Sequence, residues 1–289
     1  DERPSPAAQA FDRLLGIMAQ LRNPEDGCPW DLEQTFRTIA PHTIEEAYEV
    51  ADTIERDDLG ALPGELGDLM FQAVFYTQMA SETGLFGMED VLAAINGKMI
   101  DRHPHVFGGT RIDTASAQTV AWETHKAAER AKEAAASGRQ PRTLDGVVVG
   151  LPALTRAEKL QRRAARVGFD WPAAAPVLDK VREEIGEIEA EITAGAERQR
   201  LDEEVGDLLF AVVNLARHLQ VDAEGALRRA NRKFERRFRR MEELAVADAE
   251  AQTGGESGTG QVRLPSSLDG LEALWARVKA EEQERAPRR

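Results

Sequence analysis

One acidic motif pair occurs twice at comparable spacing, and that repetition constrains the fold more than any other feature of the chain. Glu-Glu-Ala-Tyr-Glu at 45–49 returns as Glu-Glu-Ile-Gly-Glu at 183–187. Gly-Glu-Leu-Gly-Asp-Leu-Met-Phe at 64–71 returns as Glu-Glu-Val-Gly-Asp-Leu-Leu-Phe at 203–210. Later in each copy, Asn96, Lys98 and Arg102 match Asn231, Lys233 and Arg237, and Trp122 with Lys126 matches Trp275 with Lys279. A chain of 289 residues can therefore hold two copies of one unit, each long enough to bury a core. Apolar residues recur at three- and four-residue intervals, which is helical periodicity; Gly146 to Gly150 alone reads as extended. The expected fold is all-α. Its first helical unit spans 1–135, a linker without periodicity spans 136–150, and the second unit spans 151–289. Gly254 to Gly260 reads as a flexible inserted loop, and Ala286 to Arg289 as a solvated tail.

Laid on a helical wheel, residues 180–192 separate into faces. Val181, Ile185, Ile188 and Ile192 form an apolar stripe, expected to be the core face. Glu184 and Glu187 flank one edge with Lys180, and Glu183 points toward solvent. In the following helix Val205, Leu209, Val212 and Ala216 form the stripe, and Glu204, Asp207 and Arg200 stand at its edge. Antiparallel packing of two such helices brings Glu184, Glu187, Glu204 and Asp207 into one cluster. The first copy offers Glu46, Glu49, Glu65 and Asp68 in the same register.

Carboxylates gathered in this way repel one another unless a cation neutralises them, and all-oxygen ligation favours Mg²⁺, with Mn²⁺ as the alternative. Such a cation with open positions takes phosphate oxygens. Lys233 and Arg237 form an i,i+4 pair beside Phe234, Phe238 and Met241, and Trp275, among Leu271, Leu274 and Val278, has a face on which a base could stack. Thirty-seven basic against 51 acidic residues give a formal charge of −14, which disfavours a nucleic-acid polymer as partner. No apolar run is long enough to span a bilayer, and the single Cys28 has no intramolecular disulfide partner, so a cytoplasmic setting is expected. Cys28 reads as a buried turn residue, and His103 with His105 as a loop contact rather than a metal site.

These motifs, with Gly27-Cys28-Pro29-Trp30-Asp31, Arg102-His103-Pro104-His105-Val106-Phe107, Gly168-Phe169-Asp170-Trp171 and the segment Asn231 to Phe238, resemble the two-domain MazG-type nucleoside triphosphate pyrophosphohydrolases. The resemblance implies two tandem MazG-like helical bundles that form a homodimer. It also implies Mg²⁺-dependent hydrolysis of nucleoside triphosphates, with broad base tolerance, to monophosphate and pyrophosphate. It assigns Glu184, Glu187, Glu204 and Asp207 as metal ligands and Lys233, Arg237 and Trp275 as nucleotide contacts. Lys180 and Arg200 join the nucleotide contacts through their positions on the ligand faces. Aligning the copies sets His42 opposite Lys180 and Ala61 opposite Arg200, so the second unit is expected to carry the main activity. The competing reading is a nucleotide-sensing or scaffold protein without turnover. A di-iron carboxylate bundle is excluded because it needs Glu-x-x-His pairs and the chain has none.

Overall fold

The structure, a computed structural model, describes residues 4–109, 142–253 and 264–285, together with scattered positions between 114 and 140. The chain is all-α, with eleven helices among the described residues and no strand. The expected extended segment at 146–150 is turn and coil, because it has no neighbouring edge to pair with. The loop at 254–260 and the tail at 286–289 lie outside the described residues. Among the described residues, no helix is long and apolar enough to cross a membrane. Two compact units divide the chain, residues 1–128 and 129–289.

In the first unit, α1 (Pro6–Leu21) starts with Pro6 in its first turn, and Ser5 caps the free Ala8 amide. A short α2 (Pro29–Glu33) follows a turn in which Cys28, half-buried, occupies the N-cap. Gly27 is required in that turn, since a Cβ would lie 2.4 Å from the Asn23 carbonyl oxygen. Next come α3 (Phe36–Glu55), opened by a Thr35–Thr38 capping box, and α4 (Leu62–Glu82). Helices α3 and α4 pack extensively on each other, with α1 against α4, around Met18, Ile39, Val74, Phe75 and Met79. Short α5 (Met88–Arg102) and α6 (Pro104–Phe107) complete the described helices of this unit. His103 ends α5, its Nδ1 lying 2.7 Å from the Met99 carbonyl and its ring edge-on to Trp122, so it is a structural contact.

The second unit repeats the plan: α7 (Ala153–Arg166), α8 (Ala174–Ala194), α9 (Arg198–His218), α10 (Ala223–Thr253) and α11 (Leu268–Arg285). Helices α8 and α9 form the main antiparallel pair and α7 packs on α9, as α1 packs on α4. Gly195, at φ 64°, ends α8 in the left-handed conformation that allows the chain to reverse. A separate core of Met241, Leu244, Ala245, Leu274 and Val278 joins α10 to α11.

One expectation about burial is corrected. Ile185, Ile192, Val205, Leu209 and Val212 are exposed, at 43%, 63%, 44%, 52% and 42%, whereas Val177, Glu184, Ala211, Val213 and Asn214 are buried. The wheel separates the faces correctly but does not say which one turns inward. Packing of α7 over α9 closes the carboxylate-bearing side, and these five stripe residues are left facing out while Val181, Ile188 and Ala216 are half-buried.

Candidate active site

Residues at i and i+3 or i+4 share a helix face, so the spacing of Lys180, Glu184 and Glu187 on α8 and of Arg200, Glu204 and Asp207 on α9 aligns two charged rows. The antiparallel pair brings Glu184, Glu204 and Asp207 together, one oxygen from each lying within 4.8 Å of the others. Glu184 is only 4% exposed, Glu204 half-buried and Asp207 exposed. The Glu187 carboxyl is pushed above its ordinary value, first because it can share a proton with Glu184, then through burial and the Glu184 and Glu204 charges, with Lys180 opposing.

Two cations border the cluster. Lys180 Nζ lies 2.8 Å from both Glu183 Oε1 and Glu184 Oε1, and these bonds hold its pKa above the usual range. Glu183 is exposed as expected, yet it is not idle, because it shares the Lys180 ammonium. Arg200 donates to Glu191 at 2.5 Å and stands 3.6 Å from Glu204.

Against this cluster lies a cavity of about 570 Å³, within the range of small-molecule sites. Lys180, Glu184 and Asp207 form part of its wall; Leu160, Gln161, Phe210 and Asn214 form another part. Phe169, Asp170 and Trp171 bring in the loop between α7 and α8. That loop is pinned to the end of α9: Arg217 donates to both Asp170 oxygens, His218 Nε2 lies 3.1 Å from Oδ1, and the Trp171 amide donates to Asp170. The Arg217 and His218 contacts hold the Asp170 carboxyl below its ordinary 3.8.

Gln161, Asn214 and Arg217 did not emerge from the sequence, whereas Trp171 entered within the Gly168-Phe169-Asp170-Trp171 motif without a role of its own. Gln161 lies in a run of Lys and Arg that reads as a solvated helix, and Asn214 and Arg217 carry no motif that marks a pocket.

Lys233, Arg237 and Trp275 form a separate group on α10 and α11, outside the lining of this cavity. Arg237 lies 5.8 Å from the Trp275 ring centre, and Glu282 accepts from its guanidinium at 2.8 and 2.9 Å. Trp275 packs against Phe234 at 5.5 Å, and Lys233 is exposed on the same helix as Arg237. The matching pair in the first unit behaves alike, with Arg102 lying 5.0 Å from the Trp122 ring centre.

The first unit also gathers carboxylates. Glu46, Glu49 and Glu65 offer oxygens within 4.8 Å of one another, and burial, then Glu49 and Asp68, raise the Glu46 pKa. Its cations differ. His42 is exposed, 3.5 Å from Glu45, and Ala61 stands in the position that Arg200 holds in the second copy.

Tandem helical units, each closing an acidic cluster between two packed helices, define a class of two-domain all-α proteins whose clusters could hold a metal ion. The model of the MazG nucleotide pyrophosphohydrolase domain matches twice, at residues 34–107 and 175–241, so each match contains one cluster. A nucleoside triphosphate pyrophosphohydrolase of Escherichia coli K12 is 51% identical over 273 residues, covering 94% of this chain and 98% of the relative. The nucleoside triphosphate pyrophosphohydrolase/pyrophosphatase MazG of Thermotoga maritima is 39% identical over 269 residues, covering 93% and 95%. The chain belongs to the MazG family.

Proposed function

We propose that the chain hydrolyses nucleoside triphosphates, ribose or deoxyribose, to the monophosphate and pyrophosphate by attack of water at the α-phosphorus, and that its second unit carries most of this activity. The observation that carries the reading is the convergence of Glu184, Glu204 and Asp207 within 4.8 Å at the wall of a cavity large enough for a nucleoside. The names of the Escherichia coli and Thermotoga relatives agree with it.

A hard divalent cation fits the residues present. The donors are all carboxylate oxygens, and Glu184 Oε2 is buried without a hydrogen-bond partner. Glu184, Glu187, Glu204 and Asp207 would hold Mg²⁺, or Mn²⁺ in its place. When bound, such an ion supplies positive charge to phosphate oxygens and acidifies water. Lys180 then exchanges one of its carboxylate partners for a phosphate oxygen, and Arg200 approaches from the other helix. These two cations neutralise charge growing on the pyrophosphate leaving group. Trp275 holds the Arg237 guanidinium in orientation. In the first unit, His42 and Ala61 supply no such cations, which leaves it a structural, regulatory or weakly active role.

The exposed stripe of Ile185, Ile192, Val205, Leu209 and Val212 fits a homodimer, since a contiguous apolar face on paired helices is stabilised by a second copy.

Hydrolysis in H₂¹⁸O with Mg²⁺ tests the reaction. The expected products are pyrophosphate and a monophosphate carrying ¹⁸O. Orthophosphate with nucleoside diphosphate would place attack at the γ-phosphorus and refute the proposal.

A further inference from the structure

Residues 142–147, within the segment expected to join the two units, close on themselves as a turn rather than running on as open chain. The Arg142 amide donates to Asp145 Oδ2 at 2.9 Å, the Asp145 amide to the Arg142 carbonyl at 3.1 Å, and the Val147 amide to the Leu144 carbonyl at 3.4 Å. Gly146, at φ 76°, takes the left-handed conformation that the turn requires. Arg163 of α7 donates to the Asp145 carbonyl and so fastens the turn to that helix. Leu144 then lies in the lining of the cavity beside the carboxylates, next in the wall to Leu160 and Ala164 of α7, and yet it is 48% exposed. A side chain that faces a cavity and stays half open to solvent stands at its rim.

Two segments outside the helices therefore cover this cavity, and their fastenings differ in kind. The Phe169–Trp171 segment is held through Asp170, both of whose oxygens accept from Arg217, with His218 Nε2 3.1 Å away. The Asp170, Arg217 and His218 side chains are only 23%, 11% and 12% exposed, so little solvent screens that attraction. The turn is held by a guanidinium on a neutral carbonyl, without an opposite charge. Leu144, half exposed, adds little apolar burial. Of the two covers, the turn opens at the lower cost. We propose that the turn at 142–147 is the gate of the second unit's cavity, leaving α7 to admit and release nucleotide while the Asp170-pinned segment stays in place. The identity of the ligand rests on the pyrophosphohydrolase reading. Gating of this kind acts on ligand exchange and not on the chemical step.

The test measures association and dissociation rates of the α,β-methylene analogue of ATP with the full chain and Mg²⁺ by stopped-flow tryptophan fluorescence, since Trp171 lies in the lining. Calorimetry gives Kd independently. A gate that opens more readily speeds entry and exit alike. Arg163→Met keeps the apolar stem and removes the donor; it is expected to raise both rates by about fivefold, the scale of one hydrogen bond, with Kd unchanged within about twofold. Gly146→Ala strains the turn at its positive φ and is expected to raise both rates at least as much. Unchanged rates in either folded variant overturn the gate. So does faster dissociation with unchanged association, which marks Leu144 as fixed wall. Should Arg163→Met fail to fold, Gly146→Ala, confined to the turn, decides. Turnover of ATP by the wild type is measured in parallel. Its absence with the analogue bound overturns the pyrophosphohydrolase reading alone, and no binding of the analogue overturns both.

Discussion

Replacing Glu184 by Gln separates the two roles of the most buried carboxylate. Its oxygen lies within 4.8 Å of oxygens on Glu204 and Asp207, so each repulsion amounts to about 3.5 kcal/mol at an effective dielectric of about 20. The opposing attraction to Lys180 Nζ at 2.8 Å amounts to about 6 kcal/mol on the same scale. Glu184→Gln removes all three. Solvent around exposed Asp207 and half-buried Lys180 screens each of them, so the apoprotein changes by no more than about 1 kcal/mol in either direction. Mg²⁺ binding behaves differently. At a free concentration about a hundred times its Kd, the ion stabilises the folded unit by about 2.7 kcal/mol through mass action. For a unit of this size that raises Tm by about 5–11 °C. The assay is calorimetric melting with and without Mg²⁺. The wild type is expected to show the shift, and Glu184→Gln to lose it while keeping its apo Tm within about 4 °C. Glu183→Gln, which alters only an exposed partner of Lys180, is expected to retain it. A full Mg²⁺ shift in Glu184→Gln, or equal loss in Glu183→Gln, refutes the ligand assignment.

Glu187→Gln and Asp207→Asn should each lower turnover by about a hundredfold or more, whereas Glu49→Gln combined with Asp68→Asn should leave most of it, as steady-state pyrophosphate release will show. Leu209→Glu places a charge in the exposed stripe and should convert a dimer to monomer in sedimentation, an outcome that an unchanged mass would contradict. The Asp170 pin has a defined pH window. Its folded pKa lies below 3.8, so its contribution to stability is complete above the ordinary carboxylate range and is lost as pH falls through the folded value. Asp170→Asn should therefore flatten the acid limb of the stability profile below about pH 4, measured by urea unfolding, and parallel profiles would remove Asp170 from that role.

Helix content, the repeat and the pairing of acidic rows were legible in the chain because each depends on spacing within one or two helices. Glu184 with Glu187 and Glu204 with Asp207 lie one turn apart on their own helices, so each pair shares a face, and the packing of α8 on α9 brings Glu184, Glu204 and Asp207 together. The repeat matched Arg102 with Arg237 and Trp122 with Trp275, but that each Arg lies against the Trp of its own unit is a finding of the structure. Periodicity, however, divides a helix surface into faces without naming the neighbour of each face. Tertiary structure decided that Glu184 turns inward while Ile185 and Ile192 face out, since α7 closes over α9 on the carboxylate side. It also decided the fate of Gln161. In Lys-Leu-Gln-Arg-Arg the side chain reads as solvated, and it becomes a buried acceptor because Phe210 on another helix takes its amide hydrogen while a distant Asp170–Arg217 pair pins an aromatic loop alongside. Local spacing carries the charges of a site, but desolvation is a property of the assembled neighbours, which spacing within one helix does not contain.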